Sequence, residues 1–481
     1  MKKNEERVKT KIVATLGPSS DTYDMIKELA VAGTTMFRIN TSHGTIDEHK
    51  RRIESIRKVS KELDKYLPIL IDLQGPKIRV GNMPNSILIN KGDELTLRHG
   101  DKYSDNLVPV DYAGINNDVK QGDKILLDDG KVGLEVLSVI GEDVKVKVLY
   151  GDEIKQRKGI NLPGTTASLS AVTQRDIDYI KFAVDMNADY IALSFVRESA
   201  DIELAKKYIR DYSGDIPVIA KIEKPQALEN LTSIVRASDG IMVARGDLGI
   251  EMSPAEVPIA QKLIIDEAIT RRKVCIVATQ MLESMIDAPI PTRAETSDVA
   301  NAILDGTDAV MLSAETAAGK YPIEAVKMMR DIAKKVESSE FGLSNLGLEV
   351  SEDYQITPQA IANAAVQMAQ DLNAKAILSF THSGYTPRLL SKLRPSVPII
   401  AISDQESTCR RLNLHCDITP FVKDWDTVLG KDLLEEVDEY ILETMPFVKD
   451  DRIIIIGSTP KLITGRTNTI RVHRLGAISE S

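Results

Sequence analysis

Short apolar runs alternate with helix-length amphipathic stretches through the first two-thirds of the chain. The runs are "KIVATLG" (11–17), "TMFRINT" (35–41), "PILIDLQ" (68–74), "YIALSFV" (190–196), "PVIAKIE" (217–223), "GIMVARG" (240–246), "VCIVATQ" (274–280) and "AVMLSAE" (309–315). Nearly continuous apolar runs of this length read as parallel strands covered on both faces. The stretches between them have helical length and period, for example 199–211 and 254–272, the latter with Pro in its first turn. Eight strands, each followed by a helix, predict an α/β chain built on a (β/α)8 TIM barrel rather than an open sheet.

The rhythm breaks twice. Between Gly75 and about Leu169 there is no amphipathic helical pattern, and "KGDEL", "QGDKILLDDGKVGLEV" and "VIGEDVKVKVLYGDE" place short β-rich runs between Gly-Asp and Asp-Gly turns. That stretch reads as a small all-β domain inserted after the third barrel strand. The pattern changes after about Ser339, where a linker-like "SSEFGLSNLGLEVSEDY" leads to a helical pattern over 358–372 and then to "AKAILSFTHSG", "PSVPIIAIS" and "DDRIIIIGS". The expected organisation is a barrel over 1–75 and 169–340, an insert over 76–168, and a C-terminal αβ domain over 341–481.

Composition narrows the chemistry. A net charge of −10 disfavours a general nucleic-acid binder, which needs a basic face. Cys275, Cys409 and Cys416 have no C-x-x-C spacing, which fits a reduced compartment and offers neither a disulfide framework nor a zinc site. The N-terminal residues do not form a signal peptide, and no apolar run approaches the roughly 18 residues a membrane span needs. The expectation is a cytoplasmic, multidomain enzyme with no membrane contact.

In a (β/α)8 barrel the residues ending the strands converge on the catalytic face. Here those ends are strongly polar: Arg38, Asn40 and Ser42; Asp72; Lys221 and Glu223; Arg245 and Asp247; Thr279; Ser313 and Glu315. Lys221 and Glu223 lie two apart and so share one side of their strand. With Asp247 from the next strand, the two carboxylates suit Mg²⁺ or Mn²⁺ completed by waters and substrate oxygens. Lys221 beside them can stabilise charge developing on a substrate oxygen, although a structural Lys–Glu ion pair has the same spacing. Thr279 offers a hydroxyl to substrate, or serves only as a barrel hydroxyl. "SAETAAGKY" fails as a phosphate loop, because Ala314 and Tyr321 stand where Gly and Ser/Thr are needed.

At these residues the chain resembles pyruvate kinase from end to end. The likeness is carried by "TKIVATLGPSS", "FRINTSHG", "IDLQGPKIR", "KGINLPG", "AKIEKPQAL", "DGIMVARGDLGIE", "ATQMLESMI" and "MLSAETAAGKYP". It implies a (β/α)8 barrel, an inserted β-barrel that acts as a lid, and a C-terminal regulatory domain, assembled as a homotetramer. It also implies phosphoryl transfer from phosphoenolpyruvate to ADP, giving ATP and pyruvate. By the resemblance Glu223 and Asp247 bind the metal, Lys221 neutralises the phosphoryl group in transit and Arg38 clamps it. Gly246, Asp247 and Thr279 hold the substrate carboxylate. Thr279 and Ser313, with Glu315 behind them, form the route of the enolate proton, whose donor stays open.

The nucleotide side implied is Pro18, Asn40, His43 and Arg79, with Lys158 on the lid. "SFTHSGYT" is similar to the family's effector phosphate loop, at Thr381, Ser383, Gly384 and Thr386. Tyr385 and "GSTPKLITGRTNT" depart from a sugar-bisphosphate pattern, so the phosphorylated effector is unidentified. Many members need K⁺, and the positions matching its ligands are Asn40, Ser42, Asp72 and Leu73. Those members carry an acid after the Gly-Pro where this chain has Lys77, and three neighbouring positions differ with it, Leu73, Gln74 and Val80. Lys77 is therefore expected to supply the monovalent charge, making K⁺ unnecessary. Two other readings are a Mg²⁺-dependent aldolase or lyase working through a pyruvate enolate, and an inactive regulatory homologue.

Overall fold

The computed structural model describes residues 7–104, 106–165, 169–342, 346, 348–349, 355–423, 431–458 and 467–476, the side chains of 431–434 excepted. Much of the expected linker 338–354 and most of "GSTPKLITGRTNT" lie outside these residues.

The eight apolar runs form a closed parallel barrel of Lys11–Leu16, Met36–Asn40, Ile69–Asp72, Tyr190–Leu193, Val218–Ile222, Gly240–Ala244, Val274–Ala278 and Ala309–Leu312. All positions of these strands are buried except Asn40, as expected of parallel strands shielded on both faces. The intervening helices are capped by their own sequence. Thr45 and Glu48 make a reciprocal capping box at Ile46–Glu62, and Thr292 and Glu295 do so at Arg293–Leu304. The helix expected over 199–211 is observed as Ser199–Asp211. The one expected from Pro254 starts later, at Val257. Ser253 to Glu256 are taken by a turn in which Glu256 N–H donates to the Ser253 carbonyl at 2.9 Å and the Glu256 carboxylate accepts from Ser253 N–H.

The chain divides into two compact units, Met1–Ile71 with Asp185–Ile191 and Ile265–Ser481, and Asp72–Val184 with Ala192–Ile264. In the second unit a seven-stranded sheet runs from Ile78–Arg79 to Gly159–Asn161 in sequence. Its core is a cluster rich in Val, Ile and Leu, including Leu97, Val108, Leu134 and Val146. Val80 forms a bridge with Val110, tying the chain beside Ile78–Arg79 to the opposite end of the strand order.

In the first unit a five-stranded sheet is parallel except for Thr469–Arg474, which pairs antiparallel with Arg452–Gly457. Two of its strands, Ile418–Val422 and Thr469–Arg474, are not visible in the hydrophobic pattern. Both are edges, where Pro420 is tolerated and alternating charge protects an open strand. Helices Tyr385–Lys392 and Glu406–Leu412 of this domain are fastened to the starts of barrel strands by acids. Asp308, just before Ala309–Leu312, pairs with Lys392 and with Arg394 at 3.2 Å, and Asp189, just before Tyr190–Leu193, pairs with Arg410 at 2.7 Å.

Candidate active site

Within the second unit, Lys221 is the hub of a buried network. Its ammonium lies 2.7 Å from Glu223 Oε1, 3.3 Å from Asp72 Oδ1 and 2.7 Å from Ser194 Oγ. Ser194 in turn donates to the Leu73 carbonyl at 2.7 Å, and Phe195 N–H donates to Glu223 Oε2 at 2.7 Å. To make that contact Phe195 takes a φ of 56°, a left-handed conformation that bulky residues rarely adopt. Gly75 makes room for it: φ is 69°, and a Cβ there would stand 2.8 Å from the Phe195 ring.

Glu223 is only 1% exposed, and its carboxyl is pushed up to about 7 by burial first and by the charge of Asp247, with Lys221 opposing. A buried carboxylate raised by a neighbouring one is a donor that a divalent cation relieves. The residues present therefore fit a metal held by Glu223 and Asp247. Asp247 sits in the short helix Arg245–Glu251 and lines one cavity with Lys77, Asn161, Arg197, Lys224 and Glu251. Lys77 reaches it across the glycine of Gly159–Asn161, where a Cβ would stand 3.0 Å from Lys77 Cε. Arg79 donates to the Arg157 carbonyl at 3.1 Å, and Lys158 pairs with Asp128 at 2.9 Å. The hydrogen bond from Lys158 holds the Asp128 carboxyl below its ordinary value.

The first unit carries the remaining residues. Arg38 is buried and donates to Thr15 Oγ1 at 3.0 Å, and Asn40 Oδ1 accepts from Ser42 N–H at 3.0 Å. Pro18 and His43 are exposed. Thr279 and Gln280 both have positive φ, 70° and 54°, and the Thr279 hydroxyl donates to the Ala278 carbonyl at 2.6 Å. Glu315 is buried and accepts from Leu282 N–H at 3.1 Å and Ser313 N–H at 2.7 Å, so it braces two strand-end loops. The Ser313 hydroxyl is buried without a hydrogen-bond partner among the described residues.

In the C-terminal sheet Thr381 Oγ1 accepts from Gly384 N–H at 2.9 Å, and Gly384 has a φ of 75°. Thr386 shares a hydrogen bond with Thr467, while Ser383 is exposed ahead of the helix Tyr385–Lys392.

Sequence reasoning missed Ser194, Phe195, Lys224, Asn161 and Glu251. Only "LSF", at the end of an apolar run, offered a signal for the first two.

The family model for the pyruvate kinase barrel domain matches residues 7–326, and that for the pyruvate kinase alpha/beta domain matches 359–473. Pyruvate kinases from Staphylococcus aureus strains bovine RF122 / ET3-1 and MRSA252 are 42% identical over 472 residues, covering 97% of this chain and 80% of each relative. A crystal structure of a pyruvate kinase from Cryptosporidium parvum superposes with a TM-score of 0.89 at 33% identity, over 97% of this chain and 96% of that one. Barrel, insert, strand-end charges and these matches agree, and the chain belongs to the pyruvate kinase family.

Proposed function

We propose that in the pyruvate kinase reaction, phosphoryl transfer from phosphoenolpyruvate to ADP, this chain's residues divide the work as their surroundings suggest. Lys221 and Arg38 carry positive charge to the phosphoryl group in transit, where little covalent work is required of the protein. Glu223 and Asp247 hold the Mg²⁺ that the family uses, or Mn²⁺. When bound, the ion supplies positive charge against the substrate oxygens on which negative charge develops. Gly246, Asp247 and Thr279 hold the carboxylate of the substrate, and Thr279 and Ser313 lie on the route of the enolate proton. Glu315 keeps their loops in place.

Pro18, Asn40, His43 and Arg79 take the nucleotide, and Lys158 reaches its phosphates from the insert 76–168. As a lid, that insert excludes the water that would otherwise hydrolyse the donor. Lys77 stands in for K⁺ at the position of Asn40, Ser42, Asp72 and Leu73. The observation behind this is that Lys77 is partly buried and lines the same cavity as Asp247. The barrel accordingly comprises 1–75 and 169–340, and the C-terminal domain 341–481. A phosphorylated effector binds at Thr381, Ser383, Gly384 and Thr386. The enzyme works in the cytoplasm as a homotetramer, to which exposed Ile259 and Leu263, one turn apart on Val257–Thr270, are suited. Among the described residues no helix is long and apolar enough to cross a membrane.

The observation that carries the catalytic assignment is the buried cluster of Lys221, Glu223, Asp72 and Ser194. A lactate dehydrogenase-coupled assay with phosphoenolpyruvate, ADP and Mg²⁺ tests it. ADP-dependent pyruvate formation is expected, and its absence would sink the reading.

A further inference from the structure

Glu251 ends the short helix that carries Asp247, four residues away and therefore on the same face. It is 6% exposed. Its Oε1 accepts from Asn161 Nδ2 at 3.2 Å and from Lys224 Nζ at 3.2 Å, while Oε2 is buried with no hydrogen-bond partner among the described residues. A buried carboxylate with half its acceptor capacity unused is costly to keep, and pure packing would be served as well by an apolar side chain. The two partners explain what it holds. Lys224 lies 5.8 Å from the centre of the Phe195 ring, the residue whose N–H grips Glu223. Asn161 ends the strand Gly159–Asn161, which pairs with Ile78–Arg79 and directly follows Lys158.

We propose that Glu251 is a positioning residue. It latches the strand that follows Lys158 and pairs with the strand of Arg79 to the helix that carries Asp247, so that nucleotide contacts and metal ligand keep one geometry. This rests on the reading of Lys158 and Arg79 as nucleotide contacts. Through Lys224, the same carboxylate steadies the loop that orients Glu223.

The test is a double-mutant cycle on the full chain with N161A, E251A and the pair, reading kcat, KM for ADP, KM for phosphoenolpyruvate, Mn²⁺ affinity by water proton relaxation, and melting temperature. Each single variant is expected to raise KM for ADP about fivefold or more, with the double variant no worse than the poorer single one. KM for phosphoenolpyruvate should stay within about twofold in N161A, and E251Q, whose amide oxygen can still accept from Asn161, should recover most of the loss. Additive effects in the cycle, an unchanged KM for ADP, or a loss confined to melting temperature would overturn the latch. K158M separates the two readings. An unchanged KM for ADP in K158M removes the nucleotide assignment and the latch with it. A raised KM there, with N161A and E251A normal, removes the latch alone.

Discussion

Lys221 Nζ and Glu223 Oε1 stand 2.7 Å apart at the end of one barrel strand, both buried. Such a pair is weak support for stability, because an apolar replacement often does as well, so its presence here points to chemistry. Lys221→Met removes a positive charge aimed at the reacting group, and turnover is expected to fall about a hundredfold to a thousandfold. The fold should survive, because burial already pushes the Glu223 carboxyl up and Lys221 opposes that shift, so the group takes up a proton more readily when its partner is lost. The coupled assay together with thermal melting decides this. Near-normal turnover in a folded variant would remove Lys221 from the mechanism.

Lys77 gives a second prediction. Its stem crosses Gly159 into the cavity lined by Asp247, so the ammonium is a tethered unit charge that needs no binding equilibrium. The parent enzyme is expected to run at full rate in K⁺-free buffer. Reversing the charge with Lys77→Glu should lower that rate and let added K⁺ restore it about tenfold, because an acid attracts the cation that the lysine repels. Stimulation of the parent by K⁺ to the same degree would overturn the substitution.

Those two lysines differ in how openly the sequence displayed them. The barrel was legible because every strand is a nearly continuous apolar run, and Lys221 and Glu223 because a strand puts positions two apart on one side. Glu251 was not: in "RGDLGIE" it reads as an ordinary helical acid, and its partner Asn161 lies 90 residues away. Ser194 was passed over for the same reason, since the lysine that contacts it is 27 residues on. The edge strand Ile418–Val422 was hidden by Pro420, which in a central strand would have broken the ladder. Local pattern reports elements and faces, whereas pairings across long loops appear only when the chain is folded.

Thr279 carries strain that can be measured. A β-branched residue at φ 70° is unfavourable by about 1–3 kcal/mol, and strain of this kind gathers where function demands a geometry. Thr279→Gly relieves it and deletes the hydroxyl. Turnover is expected to fall at least about tenfold while the melting temperature holds or rises. A fall of several degrees would mean that the side chain is there for packing.

His415 sets the acid limit of the fold. It is 3% exposed, and burial first, with Arg388 next, pushes its pKa from 6.5 down to about 3. As pH drops below 6.5 the unfolded chain binds a proton that the folded one refuses, so stability declines steadily towards pH 3. Asp308 works lower down. Burial would raise its carboxyl, but Lys392 and Arg394 more than offset this and hold it at about 2, so its contribution is complete above pH 4 and lost only below. Between pH 6.5 and 4.5 the parent should therefore lose about 2 kcal/mol through His415. His415→Leu should flatten that part of the profile, measured as urea midpoints at fixed protein concentration. An unchanged slope would show that the imidazole is already protonated in the folded chain.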